Sequence, residues 1–191
     1  VAGLGGSDVV RAAGEMVRVL GPHTGKDWGV PAGGLRWSCW TTVAHVAHDL
    51  LAYAGQVSGR PADGYLPFDL RVSPAASPRA VLTVVTACAG LLAATVDAAD
   101  PGARAWHYGP CDPGGFAAMG VAETLLHTGD IAAGLGVAWE TPADLSAAVI
   151  NRLFPDAPSG PPPRVLRWLT GRDELPGRAR RTSWSWRAAR D

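Results

Sequence analysis

Between Gly114 and Trp139 the chain is apolar or small almost throughout, yet it carries three ionisable side chains, Glu123, His127 and Asp130. At about 100° per residue in a helix, His127 lies roughly 40° to one side of Glu123 and Asp130 about 20° to the other, so all three share one face. Phe116, Met119 and Gly120 fall on that face too, while Val121, Leu125, Thr128, Ala132 and Leu135 form a second apolar one. Little of such a helix is left for water. Buried charges are costly unless they pair, change protonation or bind a metal. A glutamate and a histidine four residues apart can reach one ion; a hydrogen-bonded structural cluster is the other reading, and the three residues alone leave both open.

Such a helix needs partners. A chain of 191 residues, 47% of them hydrophobic, can build one packed domain. The expected division is a bundle over about 7–154 and a closing tail over about 155–191. Lys+Arg and Asp+Glu both number 17, so no global basic field draws the protein to nucleic acid or to a membrane, and a small-molecule partner is expected. Oligomeric state is not encoded in any feature of the sequence. The chain opens at Val1 without a charged leader and apolar core, which predicts a cytoplasmic location. Cys39, Cys88 and Cys111 are far apart and lack zinc-site spacing, so reduced thiols are expected.

Four long helices emerge from the periodicity. The first has Ser7 as its expected N-cap and Val9, Ala13, Met16, Val17 and Leu20 at helical spacing, and Gly21-Pro22 stops it. A Gly-, Pro- and Trp-rich loop follows, with Trp28 and Trp37 expected to pin it to the bundle. The second helix is predicted from Trp40 or Thr41 to Ala54, with Thr41 as cap. On it His48 shares a face with Ala44, Leu51 and Ala52 and is the inward candidate. His45, about 60° away, is expected to pair with Asp49 across one turn. Residues 58–77 read as a crossover loop. The third helix spans Pro78 to Ala98; its uncharged run from Ala80 to Val96 contains Thr83, Thr86, Gly90 and Thr95 and reads as a bundle helix, not a membrane span. His107 and Cys111 fall in the loop before the fourth helix, the one that carries the ionisable stripe.

Beyond Gly136, Thr141-Pro142-Ala143-Asp144 predicts a capping box for a short helix ending near Phe154, and Arg164 to Thr170 can make two further turns. The tail places Trp184 and Trp186 two apart, as an extended piece would to put both rings on one side. Residues 164–191 hold eight arginines, read as a solvated closing segment. No phosphate-binding loop is present. Short connections between apolar helices predict an all-α, antiparallel four-helix bundle with short extra helices and an irregular C-terminal tail, whose interior can collect ligands from facing helices.

The stretches RWSCWTTVAHVAHDL, AWHYGPCDPGGFAAMGVAETLLHTGDIAAGLG, RLFPDAP and LTGRDELPG with its terminal WSW resemble the mycothiol-dependent maleylpyruvate isomerase N-terminal domain family, within the DinB-like bundles. The most specific element is a tryptophan with histidine eight residues later, followed downstream by Glu-x-x-x-His-x-x-Asp. By position the resemblance implies His48, Glu123 and His127 as metal ligands, with Asp130 in support. Where family members often carry an acidic residue three after the Thr matching Thr41, this chain has Ala44.

Two imidazoles and one carboxylate leave a fourth tetrahedral position open, so zinc is the first choice of divalent metal; nickel or iron accept the same donors. The resemblance implies an S-transferase- or isomerase-like enzyme that activates a low-molecular-weight thiol such as mycothiol against a small electrophile. The alternatives are a metal-dependent hydrolase, lyase or isomerase without thiol, and a non-catalytic, metal-stabilised binding protein. Literal maleylpyruvate isomerase activity is not expected, because the chain ends soon after the bundle. No separate catalytic acid or base is evident.

Overall fold

The computed structural model describes residues 3–189. Helix α1 spans Gly6–Leu20. Gly5, not Ser7, occupies the cap: the Asp8 carboxylate accepts from the Gly5 amide at 3.1 Å, and Ser7 lies inside the helix. A carboxylate in the first turn satisfies a free amide and meets the positive end of the helix dipole, which a hydroxyl does less well.

Helix α2 spans Cys39–Gly59 and is longer than the periodicity suggested. Ser38 caps it, accepting from the Thr41 amide at 3.1 Å, so Thr41 is already in the first turn and no acid is needed at Ala44. The helix runs on past Ala54 because nothing in Gly55-Gln56-Val57 breaks it; it stops where Arg60 turns left-handed at φ 49° before Pro61. Helix α3 spans Pro78–Ala98 as expected, capped by Ser77. It is long and apolar enough to cross a membrane by composition, and in the fold it packs Val81, Val85, Ala89 and Leu92 into the core against α1 and α2.

Helix α4 spans Pro113–Gly134. Asp112 accepts from the Gly115 amide at 2.6 Å, and Pro113 sits at the first position, where its missing amide hydrogen is no loss. The four long helices form a bundle in which α1 and α2 take opposite corners, each flanked by α3 and α4. Close approach at the centre depends on Gly120: a Cβ there would lie 2.7 Å from Leu92 Cδ2 and 3.1 Å from Leu50 Cδ2.

Two shorter helices follow, α5 at Ala143–Leu153 against α4 and α6 at Pro162–Leu169 against α5. The capping box expected at Thr141 does not form. Pro142 holds the cap position without a side-chain bond, and Asp144 pairs with Arg11 of α1. Before α4, the segment expected to be a loop closes into a two-residue antiparallel ladder, β1 (Ala105–Trp106) with β2 (Pro110–Cys111). The turn between them is made by Tyr108 and Gly109, both at positive φ. The tail makes no strand at Trp184 or Trp186, although their rings lie 5.4 Å apart; Trp186 packs on the core, and the Arg187 amide donates to the Leu153 carbonyl at 2.9 Å. Trp28 is buried and anchors its loop, whereas Trp37 stays 45% exposed.

Candidate metal centre

The ionisable stripe of α4 turns inward as its spacing demanded. Glu123, His127 and Asp130 have side chains only 13%, 9% and 8% exposed. Glu123 Oε2 lies 3.1 Å from His127 Nε2, and Asp130 Oδ2 lies 2.9 Å from His127 Nδ1. One imidazole thus bridges two carboxylates of its own helix. Arg172, just after α6, grips Asp130 from the far side, Nη2 to Oδ2 at 2.7 Å and Nε to Oδ1 at 3.0 Å.

The histidine that helix α2 brings to this stripe is His45. Ligand atoms of His45, Glu123 and His127 lie within 4.8 Å of one another, with His45 Nε2 4.0 Å from Glu123 Oε2. The expected pairing of His45 with Asp49 is also present, at 3.2 Å. His48, expected here, lies elsewhere: its Nδ1 is 2.8 Å from Asp69 and 3.3 Å from the Leu70 amide of the crossover loop, and its Nε2 is 4.0 Å from Asp49. The reason is rotational. The residues that share His48's face, Ala44, Leu51 and Ala52, are only half-buried under that loop, while the stripe through His45 and Asp49 is the one presented to Glu123. Trp37 leans edge-on over His45 with ring centroids 4.8 Å apart, so the Gly- and Trp-rich loop covers the cluster from outside.

Charge in this cluster is balanced by protons. Burial opposes a charged His127, but Asp130 and Glu123 outweigh it and hold the imidazole's pKa up at about 9. Burial likewise raises Glu123 and Asp130, yet His127, joined at Asp130 by Arg172, brings both carboxylates below their ordinary range. For Asp49 the charge of His127 does not suffice: burial, reinforced by Glu123, pushes it up to about 8. His45 is pushed down by burial. Of the three carboxylates, Asp49 alone is driven toward protonation.

The residues fit a divalent cation on their own chemistry. Two imidazole nitrogens and a carboxylate oxygen are the donor types that zinc accepts. His127 Nδ1 is engaged by Asp130, which leaves Nε2 for an ion and matches the carboxylate–histidine support found around metal-bound imidazoles. Binding would displace the proton that His127 otherwise carries.

The cysteines take no part. All three are free and buried, and burial raises each thiol, Cys111 to about 12, so none is poised as a nucleophile.

A family model described as mycothiol maleylpyruvate isomerase N-terminal domain matches residues 9–132, more than half of the chain. The chain belongs to this family. Comparison with curated proteins and with solved structures found no match to either. The region matched runs from Val9 within α1 to Ala132 within α4 and contains all three residues of the cluster, whereas Arg172 lies beyond it. Three members of the site were missed by sequence reasoning. In the sequence, the pairing with Asp49 is a sufficient use for His45, Asp49 stands only as that partner, and Arg172 is one of eight arginines in residues 164–191. The signal available for His45 and Asp49 was their spacing of four, the same spacing that singled out Glu123 and His127.

Proposed function

We propose that this member of the mycothiol maleylpyruvate isomerase N-terminal domain family is a metal-dependent enzyme acting on a small electrophile with a low-molecular-weight thiol such as mycothiol. The observation that carries the reading is the convergence of His45, Glu123 and His127 from two helices in a family whose name carries mycothiol. Zinc bound there would supply a Lewis acid able to lower the pKa of a thiol toward neutrality.

The chain's own residues have definable tasks. His45 and His127 present ring nitrogens, and Glu123 offers one oxygen to the ion. Asp130 accepts from His127 Nδ1–H and fixes the tautomer, while Arg172 holds Asp130 in place. Trp37 covers His45 from outside, and the apolar wall of α4 keeps water from the inner side. Asp49, beside His45, is the group placed to take or give a proton as thiol and substrate change charge.

The test is turnover of electrophile panels by protein loaded with zinc, nickel or iron, with mycothiol present and absent. Thiol conjugates or thiol-dependent isomerisation, lost after chelation, are expected. Metal-dependent turnover that ignores mycothiol would move the protein to a hydrolase or lyase, and absence of any turnover would leave a metal-stabilised binding protein.

A further inference from the structure

A cavity of about 250 Å³ adjoins the cluster on the α2 side, walled by His48, Asp49, Tyr53, Tyr65, Leu66 and Phe68. Its size suits a small metabolite more than a drug-sized ligand. Tyr53 is 5% exposed, and its hydroxyl has no hydrogen-bond partner among the described residues. Every fully enclosed side-chain polar atom of the described residues is bonded, so this hydroxyl must reach open space, which the cavity provides. A phenol that faces such space has a hydrogen to give, and a ligand acceptor can take the place of water there.

Tyr65 is a second donor, fixed from a distance. The Trp186 indole N–H donates to His107 Nε2 at 3.3 Å. An indole nitrogen only donates, so Nε2 must carry a lone pair and the neutral ring keeps its hydrogen on Nδ1. Nδ1 in turn bonds the Tyr65 hydroxyl. The Tyr65 oxygen therefore accepts, and its own hydrogen remains to be given. Burial, only partly opposed by Glu123, lowers His107 to about 4, in keeping with a neutral ring.

The cavity's charge selects the acceptor. Asp49 and His48 share its wall, and no arginine or lysine among the described residues lines it, so an anionic group would find no permanently charged cation to pair with. A neutral oxygen is the better fit.

We propose that this cavity binds a small, neutral carbonyl compound whose oxygen accepts from Tyr53, with Tyr65 as a second donor positioned by Trp186 and His107. The proposal rests on the function above in that the cavity adjoins the same cluster, but it can be tested without turnover. The probes are 4-fluoroacetophenone and its carbonyl-free analogue 1-ethyl-4-fluorobenzene, titrated by fluorine NMR into metal-free and zinc-loaded protein. The ketone is expected to bind more tightly than the hydrocarbon. Tyr53→Phe should weaken the ketone about tenfold and Tyr65→Phe about threefold, leaving the hydrocarbon unchanged. Trp186→Phe should match Tyr65→Phe on both probes, which a merely structural loss would not. Equal binding of the two probes, unchanged ketone affinity in Tyr53→Phe, or a loss of both probes in Trp186→Phe overturns it. If zinc fails to bind while tyrosine-dependent ketone binding persists in the metal-free protein, the proposed function falls and this inference stands; the reverse pattern removes the inference alone.

Discussion

Arg172 joins the tail to the site through a single carboxylate, and the consequence is measurable. Asp130→Asn keeps the shape but weakens both the hold on His127 Nδ1 and the pairing with Arg172. Removing such support around a metal-bound histidine typically lowers metal affinity about 10- to 100-fold. Asp130→Asn and Arg172→Met are each expected to do so for zinc, measured by competition with a chromophoric chelator. Wild-type affinity in both would deny them a supporting role. At this scale the sequence was informative about one helix and silent about its partners. Glu123, His127 and Asp130 stood out because charge on an apolar helix is anomalous. His45 and Asp49 did not, because α2 is amphipathic enough for a pair of polar residues to look solvated. Arg172 could not be singled out, since no local pattern tells an arginine that folds back onto α4 from one that points to water.

At the scale of elements, two joints carry specific expectations. Asp112 caps α4 and also accepts from Arg152 of α5 at 2.9 Å. Burial raises its carboxyl, but Arg152 and the Gly115 amide more than compensate and bring it below the ordinary value. A depressed carboxyl contributes stability that is fully present above its unfolded pKa and lost as pH falls through the folded value. Urea midpoints should therefore drop on the acid side of about pH 4, and Asp112→Asn should flatten that limb. At neutral pH Asp112→Ala should cost roughly 2–3 kcal/mol, combining a lost cap with a stranded arginine. At the other end of α4, a Cβ at Gly134 would strike the Pro31 carbonyl and lie 2.8 Å from Cys39 Sγ. Gly134→Ala is thus expected to destabilise by about 1–3 kcal/mol despite alanine's better helix propensity, because backbone has nowhere to move; a gain in urea midpoint would contradict that packing. Helix existence and most boundaries were legible from apolar spacing, as α3 illustrates. The caps at Gly5 and Pro142 and the late end of α2 were not, because each is decided by which of several nearby groups reaches the backbone first.

Across the whole molecule, the bundle brings two four-residue spacings, His45 with Asp49 and Glu123 with His127, face to face across α2 and α4. The all-α bundle and the family followed from the sequence, and so did the helix that bears most of the site. The rotation of α2 did not: resemblance to the family pointed to His48, whereas in this fold His48 reaches out to Asp69. Zinc bound at the cluster should raise the unfolding temperature, by an amount that grows with free zinc above its dissociation constant. The most direct measurement is calorimetric zinc titration of the wild type beside His45→Ala, His48→Ala, Glu123→Ala and His127→Ala. One zinc per chain is expected in the wild type, with affinity lost in the His45, Glu123 and His127 variants and kept within a few-fold in His48→Ala. No zinc bound by the wild type, or affinity lost with His48 and retained without His45, would contradict it.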